Sequence, residues 1–499
     1  MKSLDTPPLA EQGSLRYFTA VCFAAALGGL LFGFDTAVIS GAIGFLQEQF
    51  HLGELMLGWV VSSTLVGCVV GSAIAGGLAD RFGRKWMLVL SAALFMVTAL
   101  GSAFAPSPLW LSVARLVGGV GVGVAAAVAP LYVAEISPPK LRGRMVALYQ
   151  LAIATGVLSA YLTNAGLLEL STRGSAWTAD WYQWMVVREV WRIMLGSLCL
   201  PAVVFFLWAL GVPESPRWLT EQGDEAHALR ILARVGGREE AERAMREIRE
   251  TISQESGGLT ELCQPRMFRL LGMAIFLAVS SQFCGINAII YYGPRILEGA
   301  HLTVGKALSG QVILGTVSVV FTLLAIWKVD TMGRRPLLRA GSLGVMLSLA
   351  AIGLLFALSI VPCFWLIISI SAMANVPSWL APAATQGFWL ILFISSFLAC
   401  FAFSLGPLAW IVMSEIFPLR VSGRAMSVAT VCLWLANTVV CQTFPLMQKH
   451  LGEAGTFWIF SALVLPVFLF SIYRMPETKG RSLEELEKSL FLGPKGLGK

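Results

Sequence analysis

Long runs of apolar residues alternate with short polar connections along most of the chain. A helix needs about 20 predominantly apolar residues to cross a bilayer. Twelve runs approach or exceed that length, in two sets of six on either side of a polar stretch. The runs cover residues 17–46, 55–79, 86–105, 109–134, 145–168 and 191–212, then 268–297, 304–328, 336–360, 388–413, 422–446 and 455–474. The pattern predicts an all-α membrane protein with twelve transmembrane helices in two six-helix bundles.

The same pattern divides the chain into five expected segments. These are a tail at 1–16, a bundle at 17–212, a loop at 213–266, a second bundle at 267–475 and a tail at 476–499. The middle loop is rich in Ala, Glu, Arg and Leu, and it is expected to form short amphipathic helices. Residues 361–387 contain a further apolar run that prolines interrupt, and we assign them to the loop between the ninth and tenth helices.

Composition narrows the class of protein. Hydrophobic residues make up 57% of the chain and charged residues 13%, whereas soluble domains are usually about 45–50% apolar and about 25% charged. A soluble enzyme is therefore disfavoured. The net charge of +7 comes from basic residues that are dispersed along the chain, which argues against a nucleic-acid partner. The nine cysteines form no CxxC pair and no Cys/His ligand spacing, so no metal and no cofactor is expected.

The basic residues are distributed unequally between the two sides of the predicted bundles. Of the 36 Lys and Arg residues, six fall on the side that would be outside: Arg173, Arg188, Arg192, Arg295, Lys306 and Lys449. Cytoplasmic loops of membrane proteins carry an excess of Lys and Arg. The asymmetry predicts a multi-pass protein of the plasma (inner) membrane, with both termini and the helical middle loop in the cytoplasm.

Three motifs occur once in each half, at equivalent helices. The pairs are Asp80-Arg81-Phe82-Gly83-Arg84 with Asp330-Thr331-Met332-Gly333-Arg334, Glu135-Ile136-Ser137-Pro138 with Glu415-Ile416-Phe417-Pro418, and Pro213-Glu214-Ser215-Pro216-Arg217 with Pro476-Glu477-Thr478-Lys479-Gly480. Such matches in register indicate an internal repeat. Repeats of this kind mark transporters that rock two halves around a site near the membrane midplane.

Together these motifs resemble those of the sugar porter family of the major facilitator superfamily, from about Leu30 to Arg481. The likeness is strongest to bacterial proton-coupled sugar symporters and to animal glucose facilitators. It implies a secondary active transporter rather than an enzyme, with proton-coupled symport of a monosaccharide or related polyol by alternating access. An uncoupled facilitator and a non-transporting sugar sensor are the alternatives. The expected partners are the substrate, a proton and membrane lipid, and the expected state is a monomer.

One acidic residue, Asp35, lies inside the first predicted helix. An ionisable side chain in a membrane is costly unless it is paired or faces water, and Arg115 in the fourth helix is the expected partner. A nearby Arg favours the charged carboxylate, so a motion that separates the two would let Asp35 take up and release a proton. A fixed ion pair is the structural alternative. In the resembling symporters an Asp in this motif couples to protons, whereas glucose facilitators have an uncharged residue there.

A sugar site needs side chains that match hydroxyl groups and apolar ring faces. Gln and Asn supply both donors and acceptors, while Tyr and Trp offer an apolar surface with a polar handle. The resemblance places eight such residues in the cavity: Gln150, Gln282, Asn287, Tyr291, Tyr292, Trp410, Trp434 and Asn437. Gln282 and Asn287 would lie on different faces of a regular helix, unless Gly285 between them loosens it. Helix–helix hydrogen bonds or an interfacial belt are the structural alternatives.

Three positions depart from the family pattern, because Ser281, Ser318 and Leu433 stand where amide side chains are usual. The substrate site is therefore expected to be larger and less polar at these points. Amide side chains determine which substrate hydroxyl groups find a hydrogen-bond partner. Replacing them is therefore expected to alter which polyhydroxylated compounds the site prefers. The sequence leaves open which sugar or polyol is carried.

Charged residues at the predicted cytoplasmic helix ends form the expected inner gate. They are Asp80, Arg84, Glu135, Arg142, Asp330, Arg334, Glu415 and Arg424. In the family, the resemblance implies, such groups bridge the halves when the protein faces outward; positive-inside topology with local capping is the alternative. Ser422 stands where the first half has Arg142, so the outward-facing state is expected to be less favoured.

Overall fold

The structure is a computed structural model, and it describes residues 13–173, 179–254, 264–359, 382–417 and 419–475. The first half contains α1 (Leu15–Phe50), α2 (Glu54–Phe82), α3 (Arg84–Ala103), α4 (Pro108–Ile136), α5 (Pro139–Arg173), α6 (Val190–Gly196) and α7 (Cys199–Gly211). Three helices follow it: α8 (Pro216–Glu221), α9 (Glu225–Gly236) and α10 (Arg238–Gln254). The second half contains α11 (Pro265–Phe283), α12 (Ile286–Glu298), α13 (Val304–Met332), α14 (Arg334–Ser359), α15 (Pro382–Phe403), α16 (Leu405–Glu415) and α17 (Leu419–Tyr473).

Eleven helical segments among the described residues are long and apolar enough to cross a membrane. The last of them is in fact two crossings, because α17 breaks at Gly452, whose φ of 69° and ψ of 174° are not helical. A positive φ of this kind is available to glycine at little cost. Together with the absence of strands from the described residues, this confirms the predicted all-α fold with twelve transmembrane helices.

The polar segment between the halves forms its own small core on α8, α9 and α10. The buried side chains there include Leu219, Ile231, Leu232 and Met245. The expected loop at 361–387 lies mostly outside the described residues, although residues 382–387 form the start of α15. The expected tails also lie outside them, apart from residues 13–16 and the beginning of α1.

The backbone repeats itself in the two halves. Gly83, between α2 and α3, has φ 92° and ψ 161°, and Gly333, between α13 and α14, has φ 83° and ψ 157°. His51 after α1 and His301 after α12 also share a positive φ, of 48° and 62°. Such a φ is uncommon for residues other than glycine. The shared geometry therefore supports the internal repeat, and it extends the repeat to His51 and His301, which the sequence motifs did not include.

Helices within the first half approach each other closely at glycines. A Cβ atom added at Gly33 of α1 would lie 2.0 Å from the carbonyl oxygen of Ile153 in α5, and one at Gly156 would lie 2.0 Å from that of Leu30. The α2–α4 contact is equally tight, at 1.9 Å from Gly119 to the Thr64 carbonyl. Small residues permit this packing between membrane helices, and it fixes α1, which carries Asp35, against α5.

Candidate substrate and proton sites

The seventh crossing is interrupted in its middle. α11 ends at Phe283, and Gly285 adopts φ 79° and ψ 17° before α12 begins. A Cβ atom at Gly285 would lie 2.7 Å from the ring of Phe460, so both the backbone conformation and the available space require glycine here. The crossing is therefore a pair of half-helices joined by a short non-helical link.

This interruption brings together two amides that a regular helix would separate. Asn287 Nδ2 donates to Gln282 Oε1 at 2.8 Å, and Gln282 Nε2 donates to Ser281 Oγ at 3.0 Å. The Ser281 hydroxyl in turn donates to the carbonyl of Ala278 at 2.7 Å. Asn287 is half-buried, and its Oδ1 accepts no hydrogen bond from the described residues. The paired amides thus present a fixed, partly unused set of donors and acceptors, of the kind that hydroxyl groups need.

The two tyrosines of α12 are both fully buried. Tyr292 donates its hydroxyl to the Cys441 carbonyl at 3.0 Å and stacks on Phe444 with ring centroids 5.0 Å apart. Its polar group is therefore occupied within the second half. Tyr291 forms no hydrogen bond to a described residue, so its hydroxyl is the one that a ligand or a water molecule can engage.

The remaining expected sugar contacts differ in their surroundings. Trp434 is 3% exposed and packs edge-on against Phe32 of α1, with ring centroids 5.6 Å apart. Its indole N–H has no hydrogen-bond partner among the described residues. Asn437 is buried and accepts a hydrogen bond from the Cys441 thiol at 3.3 Å. Gln150 and Trp410 are half-buried, and neither side chain forms a hydrogen bond within the described residues. Trp434 therefore joins the two halves, while Gln150 keeps its amide unpaired.

Asp35 and Arg115 are both buried in the first half, with exposed fractions of 3% and 1%. They form no direct ion pair in the structure, and among the described residues one carboxylate oxygen of Asp35 and two guanidinium nitrogens of Arg115 have no hydrogen-bond partner. Their charges nevertheless act on each other, and the hydroxyl of Tyr291 lies within the field of both. A buried carboxylate held near a guanidinium without contact is poised to change its charge when the surroundings move.

One end of the bundle, which we call the proximal end, carries the start of α1 and the Gly83 and Gly333 links. Arg84 is the centre of a network there: its Nη2 donates to Glu135 at 3.2 Å, and its Nη1 lies 3.4 Å from Asp80. Its backbone N–H donates to Glu214 at 2.8 Å. Ser215 adds a very short hydrogen bond to Glu135. Sequence reasoning missed Glu214 and Ser215, although both belong to a repeated motif.

The structure describes the expected gate residues only in part. Every described partner of Arg84 belongs to the first half or to the segment after it. Arg334 is half-buried at the start of α14, and Arg424 is exposed. The side chains of Arg142, Asp330 and Glu415 lie outside the described set. In the part of the chain that the structure describes, the ion pairs of Arg84 therefore stay within the first half and the segment after it.

The opposite end, which we call the distal end, carries the turns after α1 and α12, and there the halves are in contact. Glu54 of α2 and Arg295 of α12 form a two-pronged ion pair at 2.8 and 2.9 Å. Ser62 of α2 donates to Gln442 of α17 at 2.7 Å, and Gln442 donates back to the Leu55 carbonyl at 3.0 Å. The structure is therefore closed at the distal end.

A proline supports this closure. Pro294 has no N–H, so the carbonyl of Ile290 four residues earlier loses its helical hydrogen bond. Tyr161 of α5 donates its hydroxyl to that carbonyl at 3.3 Å. A hydroxyl group from the first half thus replaces the backbone donor that α12 lacks at Pro294. Sequence reasoning missed these distal residues, although a proline within a predicted helix was a usable signal for an exposed carbonyl.

Comparisons with known proteins agree with this architecture. Residues 21–490 match the model of a family described as "Sugar (and other) transporter". The chain is 37% identical to the arabinose-proton symporter of Bacillus subtilis (strain 168), over 96% of this chain and 97% of the relative. It is 36% identical to the galactose-proton symporter of Escherichia coli (strain K12), over 98% of each chain.

Solved structures give the same result. The chain is similar to the partially occluded inward-open conformation of the xylose transporter of Escherichia coli, with a TM-score of 0.76 and 31% identity, over 94% of this chain and 100% of that one. It is also similar to the proton:xylose symporter bound to 6-bromo-6-deoxy-D-glucose, with a TM-score of 0.75 and 32% identity, over 95% and 98% of the two chains.

Proposed function

Because this chain belongs to the sugar transporter family of the major facilitator superfamily, we propose that it carries a monosaccharide or a related polyol across the membrane together with a proton. The family is one of transporters rather than enzymes. The observation that carries the proposal is the interrupted seventh crossing, where Gln282 and Asn287 form an amide pair. The buried side chains of Asp35 and Arg115 lie within the first half, on α1 and α4.

The substrate class follows from the chemistry of the amide pair and from the relatives. Named relatives are symporters of arabinose, galactose and xylose, so a pentose or a hexose is the first choice. Ser281 already uses its hydroxyl on the Ala278 carbonyl, and Leu433 is a buried apolar residue. Fewer polar groups therefore face the substrate at these positions, which favours a compound whose hydroxyl at that point is absent or points elsewhere.

Coupling to protons would operate through Asp35. The carboxylate is favoured while the guanidinium of Arg115 stays near, and the neutral acid is favoured when the distance grows. A rocking motion that changes the distance between α1 and α4 would then bind a proton on one side of the membrane and release it on the other. Tyr291 of α12, in the field of both charges, would relate this step to the substrate site.

Alternating access would exchange the distal closure for a proximal one. The distal contacts of Glu54, Ser62 and Tyr161 would break, and the charged helix ends around Arg84 would come together. We infer that the proximal end and both termini are cytoplasmic, in the plasma (inner) membrane, because Lys and Arg concentrate in the loops of that end. The conformation described here would then face the cytoplasm. We also infer that each chain works as a monomer, since each contains both halves.

The test measures external pH and uptake of the added compound in a lightly buffered suspension of cells or vesicles, for a panel of pentoses, hexoses and polyols. External alkalinisation with one compound, lost in Asp35→Asn, would identify the substrate and establish symport together. Asp180→Asn is the matched control, because Asp180 is an exposed carboxylate near the distal surface and has no expected role in coupling. Substrate entry without proton movement in the wild type would refute coupling and identify a facilitator. The absence of both uptake and a pH change with every compound would refute the substrate class.

A further inference from the structure

A groove of about 550 Å³ lies on the outer surface of the first half, between the beginning of α1 and the end of α7. Five residues line it: Arg16, Thr19, Ala20, Phe23 and Trp208. The groove is remote from the amide pair and from Asp35, and no step of the proposed transport cycle uses it. Both aromatic side chains are strongly exposed, at 45% for Phe23 and 40% for Trp208, so this surface faces the surrounding membrane.

The walls of the groove are held in place. Trp208 donates its indole N–H to the carbonyl of Ala20 at 2.8 Å, and its ring meets that of Phe23 edge-to-face with centroids 5.1 Å apart. The small side chains of Thr19 and Ala20 also line the groove, and we call this part of the lining the floor. The groove beside these two fixed aromatic rings exists before any ligand arrives, so little ordering is needed to fill it.

The end of the groove at the start of α1, on the proximal side, is positively charged. Arg16 is exposed and forms no ion pair with any residue that the structure describes. The guanidinium of Arg234, on α9, lies 5.9 Å from the ring of Tyr17 next to it. The first turn of α1 contains no acidic residue. An anion at this point would therefore meet the guanidinium group of Arg16 and no opposing carboxylate from that turn.

The spacing along α1 separates the charge from the aromatic residues by a distance that suits an amphiphile. Arg16 and Phe23 are seven positions apart, or about 10 Å at 1.5 Å per helical residue. The headgroup layer on each side of a bilayer is about 5–8 Å thick, and the hydrocarbon region begins beneath it. With Arg16 among the headgroups, Phe23 and Trp208 would lie at the depth of the acyl chains.

We propose that this groove is a binding site for an anionic phospholipid. The phosphate lies against Arg16, and one acyl chain follows the floor at Ala20, alongside the touching rings of Phe23 and Trp208. A zwitterionic lipid fills the apolar part equally well but gains less from the uncompensated positive charge. A free anion is attracted by the positive charge of Arg16 but leaves the apolar groove empty. The site thus recognises the combination of negative headgroup and chain that anionic lipids bring to a membrane surface.

The test uses the purified full-length chain in detergent, with native mass spectrometry to count the lipid molecules that each protein retains. Phosphatidylglycerol and phosphatidylcholine with identical oleoyl chains are added separately and in competition. A basic side chain near a membrane surface contributes about 1 kcal/mol toward an anionic lipid, which corresponds to about fivefold. We expect the wild type to prefer phosphatidylglycerol, Arg16→Gln to lose about fivefold of that preference, and Ala20→Leu to retain less of both lipids.

Arg81→Gln is the matched control, because Arg81 is an exposed arginine at the same end, 5.3 Å from the exposed ring of Phe82, and lines no part of this groove. Equal retention of the two lipids by the wild type would overturn the proposal. So would equal losses in Arg16→Gln and Arg81→Gln, which would indicate diffuse attraction, or full retention in Ala20→Leu. Should Ala20→Leu fail to purify as a monodisperse protein, Thr19→Leu fills the same floor and carries the same expectation.

Discussion

The ion pair between Glu54 and Arg295 joins the halves at the distal end, and its removal should shift the balance between distal-closed and distal-open states. The two hydrogen bonds are 2.8 and 2.9 Å long, and the side chains are 17% and 27% exposed. Exposed pairs contribute about 0–1 kcal/mol, whereas loss of one partner of a fully buried pair costs about 3–5 kcal/mol. Because the exposure of this pair lies between these limits, we expect its loss to destabilise the distal-closed state by about 1–2 kcal/mol. That change corresponds to about 5- to 30-fold in the ratio of distal-closed to distal-open molecules.

The assay is a distance measurement between spin labels at Gly53→Cys and Lys306→Cys, two exposed positions at the distal end, in a background without other reactive cysteines. Glu54→Gln should increase the long-distance population. The double variant, Glu54→Gln with Arg295→Gln, should destabilise the distal-closed state by less than the sum of the two single changes, because the pair is then removed as a unit. The exchange Glu54→Arg with Arg295→Glu should restore the short distance in part. Additive single effects, or an unchanged distribution in Glu54→Gln, would refute the reasoning.

Three further predictions concern other parts of the molecule. Asn287→Ala removes a donor to the amide pair, and it should raise the half-saturating substrate concentration at least about tenfold without loss of folded protein. Gly156→Val places a Cβ where 2.0 Å separates it from a carbonyl oxygen of α1, and it should reduce the yield of monodisperse protein. Burial raises the pKa of Glu189, but hydrogen bonds from Gln49 and Arg192 and the charge of Arg192 outweigh burial and lower it. Its contribution to stability is present above its ordinary pKa of 4.5 and is lost as the pH falls through the lowered value, so melting temperature should fall more steeply with acid in the wild type than in Glu189→Gln.

Each of these has a result that would contradict it. Normal transport affinity in Asn287→Ala would remove the amide pair from the substrate site. Wild-type yield and melting temperature in Gly156→Val would show that α1 and α5 can separate without cost. Parallel melting curves for the wild type and Glu189→Gln across the acidic range would mean that the hydrogen bonds of Glu189 do not persist in solution.

The crossings and the repeat could be predicted from the sequence because each depends on local information. A crossing requires a sufficient apolar length, and the repeated motifs mark equivalent helix ends. The interruption at Gly285 was accessible for the same reason, since a glycine between two amides suggested a local change of helix. The hydrogen bond between Gln282 and Asn287 then follows from the geometry of that link.

The contacts between the halves could not be predicted in the same way. Glu54 and Arg295 are 241 positions apart, and each occupies a helix end where charged residues are common for topological reasons alone. The partners of Arg84 depend on how the segment after α7 folds back, which places Glu214 against its backbone. Apolar periodicity orients each helix toward a core, but it does not specify which helix of the other half it meets.

The hydrogen bond from Tyr161 to the Ile290 carbonyl has a consequence for hydration. Pro294 leaves that carbonyl with no partner inside its own helix, and an unsatisfied carbonyl in hydrocarbon costs several kcal/mol. When α12 moves away from α5, the carbonyl must be met by water or by a hydroxyl group of the substrate. Opening of the distal end and wetting of the cavity are therefore a single event, and a dry open state is excluded.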